Sequence, residues 1–276
     1  MMNNIKSSKP FENAIIIHTC LDIQIYSINK KLPLGRPWLT ILVDDFSKRV
    51  LAFYFSIDPP NNVTNSMVIR ECVNKHSTLP TSIILSGGKE FKSVQFHSTW
   101  IELGCTLIKY PMIVKSIFNT ENLFRIINNF LKSHKQEQSL WLADNLKKSL
   151  SLLLYEVYDT MHQPELGTSP RDLFHKLDDF RKRNINYDEE FQLLPLPIVK
   201  RRVIPGRGIK INNLFYWAND FIQPIFKMET VFVKFDPLNI DIAFVCINDS
   251  WKKLKLLGYE TEKTNSIKMR SINIHD

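Results

Sequence analysis

Apolar residues in this chain change their spacing twice, near residue 120 and again near residue 196. Before the first change they come in short blocks. Ala14 to Ile25, Trp38-Leu39-Thr40-Ile41-Leu42-Val43-Asp44 and Val50-Leu51-Ala52-Phe53-Tyr54-Phe55 read as strands, the last two joined by the polar turn Asp45-Phe46-Ser47-Lys48-Arg49. Pro59-Pro60-Asn61-Asn62 breaks the chain, and Thr64 to His76 reads as a helix. Ser82-Ile83-Ile84-Leu85 and Leu107-Ile108-Lys109-Tyr110 are further short strands, closed by Gly87-Gly88 and Pro111. From Thr120 the period becomes helical, with Phe124, Ile127 and Leu131 on one face. Leu146, Leu150, Leu153, Leu154, Val157, Tyr158 and Met161 then form one continuous stripe, expected to pack in the core.

Beyond residue 196 the blocks shorten again. Lys200 to Ile204, Ile209 to Ile211, Leu214 to Trp217, Thr230 to Phe235, Ile240 to Ile247 and Trp251 to Leu254 alternate with turns, as in a small β-barrel. The expected organisation is a loose polar lead-in over 1–12, a mixed α/β domain over 13–163 and a connector over 164–195. The connector carries one helix, Pro170 to Arg183; a barrel over 196–262 and a tail over 263–276 follow.

The net charge is +8 in 276 residues, which favours a polyanionic partner, most simply nucleic acid. The four cysteines, Cys20, Cys72, Cys105 and Cys246, are widely spaced with no CxxC pair, so neither a zinc site nor disulfides are expected. The first ten residues lack the apolar core of a leader, and no apolar run is long enough to span a bilayer. The expected location is the cytoplasm, with no membrane partner.

Several motifs add a family resemblance. They are Gly35-Arg36-Pro37-Trp38-Leu39-Thr40 with Val43-Asp44-Asp45-Phe46-Ser47-Lys48-Arg49, Gly88-Lys89-Glu90-Phe91-Lys92-Ser93, and Glu121-Asn122-Leu123-Phe124-Arg125-Ile126-Ile127-Asn128. To these are added Tyr155 to Pro170, Lys200-Arg201-Arg202-Val203 through Phe215-Tyr216-Trp217, and Val233-Lys234-Phe235-Asp236-Pro237. In this order they resemble the integrase core and barrel of the bacteriophage Mu, TnsB and TniA group of DDE transposases. The resemblance spans roughly residues 14 to 260 and implies an RNase H-like core, a mixed five-stranded sheet flanked by helices, followed by the barrel. It also implies a chemistry in which Asp, Asp and Glu hold two metal ions that clamp the attacking and leaving oxygens of a phosphodiester.

The departures gather at that chemistry. The first Asp of the pattern falls at Ile17, just before His18-Thr19, and the second at Ser86; only the third position, Glu121, keeps its acid. Ile117-Phe118 stand where the family has Lys-Gly. One carboxylate cannot hold two hard cations, so no metal or cofactor is expected, and the reading is a catalytically dead scaffold. Mg²⁺ or Mn²⁺ would bind only if Asp22, Asp44, Asp45 or Glu90 replaced the missing ligands. Asp22, at an odd offset from Ile17, would face the other side of a strand. Asp44 and Asp45 read as turn carboxylates, and Glu121 as a helix-start acid. His18, His97, His162 and His175 read as structural rather than catalytic.

Candidate phosphate contacts are Arg125, one turn beyond Glu121, Arg181, Lys182 and Arg183 at the end of the connector helix, and Lys200, Arg201, Arg202, Arg207 and Lys210 at the barrel entry. The partner expected is double-stranded DNA, held weakly and without sequence readout, together with an active transposase subunit or further copies of the chain. Two other readings stay open here: a metal-dependent nuclease or transposase with displaced carboxylates, and a protein-interaction module that no longer binds nucleic acid.

Overall fold

A computed structural model describes residues 7–27, 32–86, 94–110, 120–135, 141–177, 196–237 and 239–257. The chain divides into two compact units, Met1–Pro195 and Leu196–Asp276.

The first unit is built on strands β1 (Asn13–Cys20), β2 (Ile25–Tyr26), β3 (Pro33–Gly35), β4 (Trp38–Asp44) and β5 (Val50–Ser56). Helix α1 (Asn62–His76), β6 (Ser82–Ser86), α2 (Val94–Glu102), β7 (Thr106–Tyr110) and α3 (Thr120–Lys135) follow. A mixed five-stranded sheet runs β5-β4-β1-β6-β7, with the β5-β4-β1 pairings antiparallel and β1-β6-β7 parallel. Alternation along β1 sends Ile15 and Ile17 to one face and Ala14 and Ile16 to the other. On the first face they meet Leu123, Ile127 and Leu131 of α3. On the second they meet Val68, Ile69 and Val73 of α1 and Phe96 and Trp100 of α2. Covered on both faces, β1 and β4 are apolar without interruption at their centres, which is why their sequences lack a clean two-residue alternation.

Three local features differ from expectation. The segment 7–12 is not loose. Phe11 is buried edge-on to His76 and Phe174, its N–H donates to Asp44 at 2.8 Å, and the Ser7 hydroxyl donates to Asp45 at 2.6 Å. One apolar anchor among polar residues gives too weak a periodic signal to announce this docking. The long strand expected from Ala14 to Ile25 instead stops at Cys20. Ile25–Tyr26 pairs with Pro33–Gly35 and, in parallel, with β8 (Trp141–Leu142) in a small sheet β3-β2-β8.

The third difference lies in the last core helix. It begins as α4 (Ala143–Leu152), widens into a π-helical turn over Leu153–Val157 and closes as α5 (Tyr158–Thr160). A π turn holds an extra residue, so everything after it is rotated back by about 100° on the helix surface. Leu146, Leu150, Leu153, Leu154 and Tyr158 are buried as expected, whereas Val157 and Met161 are exposed. The same rotation carries Asp159 into the interior. Helix α6 (Pro170–His175) follows, capped by Ser169, and Phe174 packs into the α1/α2 side of the core. The expected connector therefore begins as part of the first unit; its remainder from 178 lies outside the described residues.

The second unit contains β9 (Ile198–Ile204), β10 (Gly208–Ile211), β11 (Leu214–Trp217), β12 (Thr230–Asp236), β13 (Asn239–Ile247), β14 (Ser250–Lys253) and β15 (Lys255–Leu257). All pairings are antiparallel in the order β14-β13-β12-β9-β10-β11-β15, and β15 returns against β13, so the barrel is nearly closed. Val203, Ile209, Tyr216, Val233, Ala243 and Val245 fill its interior. No helix of the described residues is long and apolar enough to cross a membrane.

Candidate active site and nucleic-acid interface

Ile17 lies in mid-β1 opposite Ile41 of β4 and is 8% exposed within an apolar cluster of Ile15, Leu39, Leu123 and Ile127. Ile17, at the position where the resembled pattern has its first Asp, is therefore a packing element. Ser86 ends β6, with Tyr110 as its register partner in β7. Glu121 sits exposed in the first turn of α3, where the free N–H groups of the helix start favour a carboxylate. Helix α3 packs on the sheet face that carries Ile17. Ile17 on β1 and Glu121 on α3 thus stand on elements that pack together, and the first of the two is a hydrocarbon.

The neighbouring acids are occupied. Asp22 is exposed and paired with Arg36 at 3.4 Å. Asp44 is fully buried, three register positions along β1 from Ile17. Its Oδ1 accepts from the Phe11 N–H, and its Oδ2 accepts from the Ser47 N–H (2.8 Å) and hydroxyl (2.7 Å). Burial raises the Asp44 carboxyl above its ordinary range despite these donors. Asp45 accepts from Ser7 and pairs with Lys48 at 2.8 Å. Both are turn carboxylates, but they are buried and saturated rather than solvated. Glu90 and Ile117-Phe118 lie outside the described residues. Among the described residues no three His, Cys, Asp or Glu side chains gather as a metal site. Isoleucine and serine, at the positions where the resembled pattern has aspartates, do not fit a pair of hard divalent cations.

His18 faces away from Ile17, and its Nδ1 lies 2.9 Å from the Thr40 hydroxyl directly across the β1–β4 ladder. Burial pushes its pKa down to about 4, so the ring is neutral near pH 7. His162 is exposed and far along the chain, in the turn that follows α5. His175 contacts Arg49 at 3.2 Å, so it belongs to a structural contact.

The basic candidates separate by strand phase. On β9, Lys200 and Arg202 face outward and are exposed, while Arg201 shares the side of Val199 and Val203 and is half-buried. Lys210 is exposed on β10, and Arg207 is exposed in the turn before it. The β9–β10 ladder, Ile204 with Gly208 and Val203 with Ile209, runs toward Arg202 and Lys210. Arg125 is exposed on α3. Arg181, Lys182 and Arg183 lie outside the described residues.

Sequence reasoning missed several groups. Phe232 is 48% exposed on β12 opposite Lys200, whose Nζ sits 5.0 Å from the ring centroid. An apolar residue in a strand run reads as core unless its phase is known. Lys253 and Lys255 add exposed charge on β14 and β15. In the core, Asp159 Oδ2 accepts from Arg49 (2.8 Å) and Arg171 (3.0 Å), and Arg171 also reaches Glu156 at 2.9 Å. Only the π turn makes that convergence possible, and no sequence period reports it.

A model of the TnsB C-terminal domain matches residues 16–84. The transposase for transposon Tn552 of Staphylococcus aureus is 24% identical over 248 residues, which cover 84% of this chain and 51% of that protein; the chain thus spans about half the length of that relative. Among solved structures, a chain of the simian T-cell lymphotropic virus intasome, in complex with PP2A regulatory subunit B56 gamma, aligns over 93% of this chain and 82% of its own length. The TM-score is 0.51 at 15% identity, a likeness of fold. The HTLV-2 integrase catalytic core domain with magnesium, in its trimeric form, aligns over 61% of this chain and 99% of its own, with TM-score 0.45 and 16% identity. The mixed five-stranded sheet with its helices is an RNase H-like core, a nearly closed antiparallel barrel follows it, and the chain is similar to the TnsB C-terminal domain and to the Tn552 transposase.

Proposed function

We propose that this chain is a transposase-type scaffold that binds double-stranded DNA through phosphate contacts and neither cuts nor joins it. The carrying observation is Ile17. It does not stand beside a spare carboxylate but is packed into the apolar cluster between the sheet and α3. Asp22, Asp44 and Asp45 are already engaged, which disfavours a site rebuilt from displaced acids. The exposed Lys200, Arg202, Arg207 and Lys210 of the barrel, with Arg125 on α3, supply cations for a polyanion. The relatives are a transposase and an intasome component, which favours further copies of this chain or an active transposase as protein partners. Such a protein works in the cytoplasm, on the DNA.

The test combines binding and cleavage on one duplex. Titration at several salt concentrations is expected to give weak binding whose affinity falls steeply with salt, with little difference between unrelated sequences. Incubation with Mg²⁺ or Mn²⁺ is expected to leave the duplex intact. Metal-dependent nicking that disappears in Glu121→Ala would overturn the inactive reading, and salt-independent or absent binding would overturn the DNA reading.

A further inference from the structure

Arg125 and Glu121 stand four residues apart on α3 with the acid N-terminal, the order that best favours an ion pair along a helix. They do not form one. Among the described residues Arg125 has no carboxylate partner; its guanidinium donates instead to Asn122 Oδ1 at 2.8 Å. Asn122 Nδ2 in turn donates to Gln163 Oε1 at 3.3 Å.

The direction of this relay is fixed by chemistry. A guanidinium can only donate, so Asn122 must turn its oxygen to Arg125 and its amide nitrogen to Gln163, which must then present oxygen. The far end is anchored. Gln163 is 5% exposed, and its backbone is clamped in the turn after α5: its N–H donates to the Thr168 carbonyl, and its carbonyl accepts from Leu166 and Gly167. A buried amide thus holds an exposed arginine through one intermediate.

Within the first unit, Arg49, Arg171 and Arg36 each point at a carboxylate; Arg201 and Arg202 of the barrel donate to backbone carbonyls. Arg125 is oriented by neutral amides and keeps its full charge at the surface, one turn beyond the retained acid. An arginine with a preset fork and an unspent charge is suited to a phosphodiester oxygen.

We propose that Asn122 and Gln163 are positioning residues that hold Arg125 away from Glu121 and present it to a phosphate of bound DNA. This inference rests on the DNA-binding reading and deepens it. Without the relay, Arg125 falls back on Glu121 and its charge is lost to the DNA.

The experiment measures duplex affinity against salt for the full chain and for Arg125→Ala, Asn122→Ala and the double variant Asn122→Ala/Glu121→Gln. Thermal melts establish that each variant is folded. Arg125→Ala is expected to weaken binding several-fold and to flatten the log–log salt slope by about one. Asn122→Ala should reproduce both effects, although it removes no charge. Adding Glu121→Gln should restore both toward wild type, because the acid that captured Arg125 is gone. A simple structural role for Asn122 would not be rescued at Glu121. Wild-type-like binding by Asn122→Ala, or failure of the Glu121→Gln rescue, overturns the relay while the DNA reading stands. Absence of salt-dependent binding by the wild-type chain overturns the DNA reading and the relay together.

Discussion

Asp159 is a centre of the first unit's polar organisation. It is 1% exposed and takes Arg49 and Arg171 on one oxygen, joining the turn before β5, α5 and α6. Removing one member of a buried pair leaves the other charges uncompensated. Asp159→Ala is expected to lower the stability of the first unit by about 3 kcal/mol, read from urea unfolding; a loss below 1 kcal/mol would mean that water already screens the pair. His18 makes a second prediction at this scale. Its folded pKa, about 4, lies below the ordinary 6.5, so the unfolded chain takes up the proton first as pH falls. Its contribution is complete above pH 6.5 and is lost progressively between 6.5 and 4, by roughly 3 kcal/mol in all. His18→Gln should flatten the stability–pH curve in that window relative to wild type. Neither residue was legible in this role. His18 could be read as structural from its strand context, but Asp159 depends on a helix phase that the apolar stripe, taken at an unbroken 3.6-residue period, assigns wrongly.

At the level of elements, the sequence was most informative where one local interaction decides the outcome. The break at Pro59-Pro60 and the polar Asn61 announce α1, and Asn61 accepts from Val63 and Thr64 while Thr64 closes the capping box. Asn61→Ala should cost about 1 kcal/mol. The strand blocks were legible because apolar cover on both faces leaves uninterrupted Ile, Leu and Val. The small sheet β3-β2-β8 was not, since two-residue strands paired across more than a hundred positions carry no periodic signal. The barrel contains the strictest backbone requirement. Gly208 has φ +80° at the β9–β10 turn, and a β-carbon there would lie 2.1 Å from the Tyr216 carbonyl oxygen. Because that oxygen belongs to the β11 backbone, relief would require the β10–β11 ladder to separate. Gly208→Ala is therefore expected to unfold the second unit while the first retains its own transition, separable by calorimetry.

For the whole molecule, the proposed inactive reading turns on what an acid at position 17 would do to the balance between stability and chemistry. An aspartate at that position would sit among Ile15, Ile41, Leu123 and Ile127 with no cation to pay for its desolvation. Ile17→Asp is expected to destabilise the first unit by about 3 kcal/mol or more in chelator. Ser86→Asp, at a strand end, should cost much less. If the scaffold still holds the spacing of the pattern, the double variant completes a triad with Glu121. Mn²⁺ at about a hundred times its dissociation constant would then return about 2.7 kcal/mol. Neither single variant should respond in this way. Recovery confined to the double variant would show that the fold has outlasted its chemistry, with Ile17 as a stabilising replacement. Equal recovery in Ile17→Asp alone would instead reveal another acid completing the site, and with it a route to activity that the inactive reading denies.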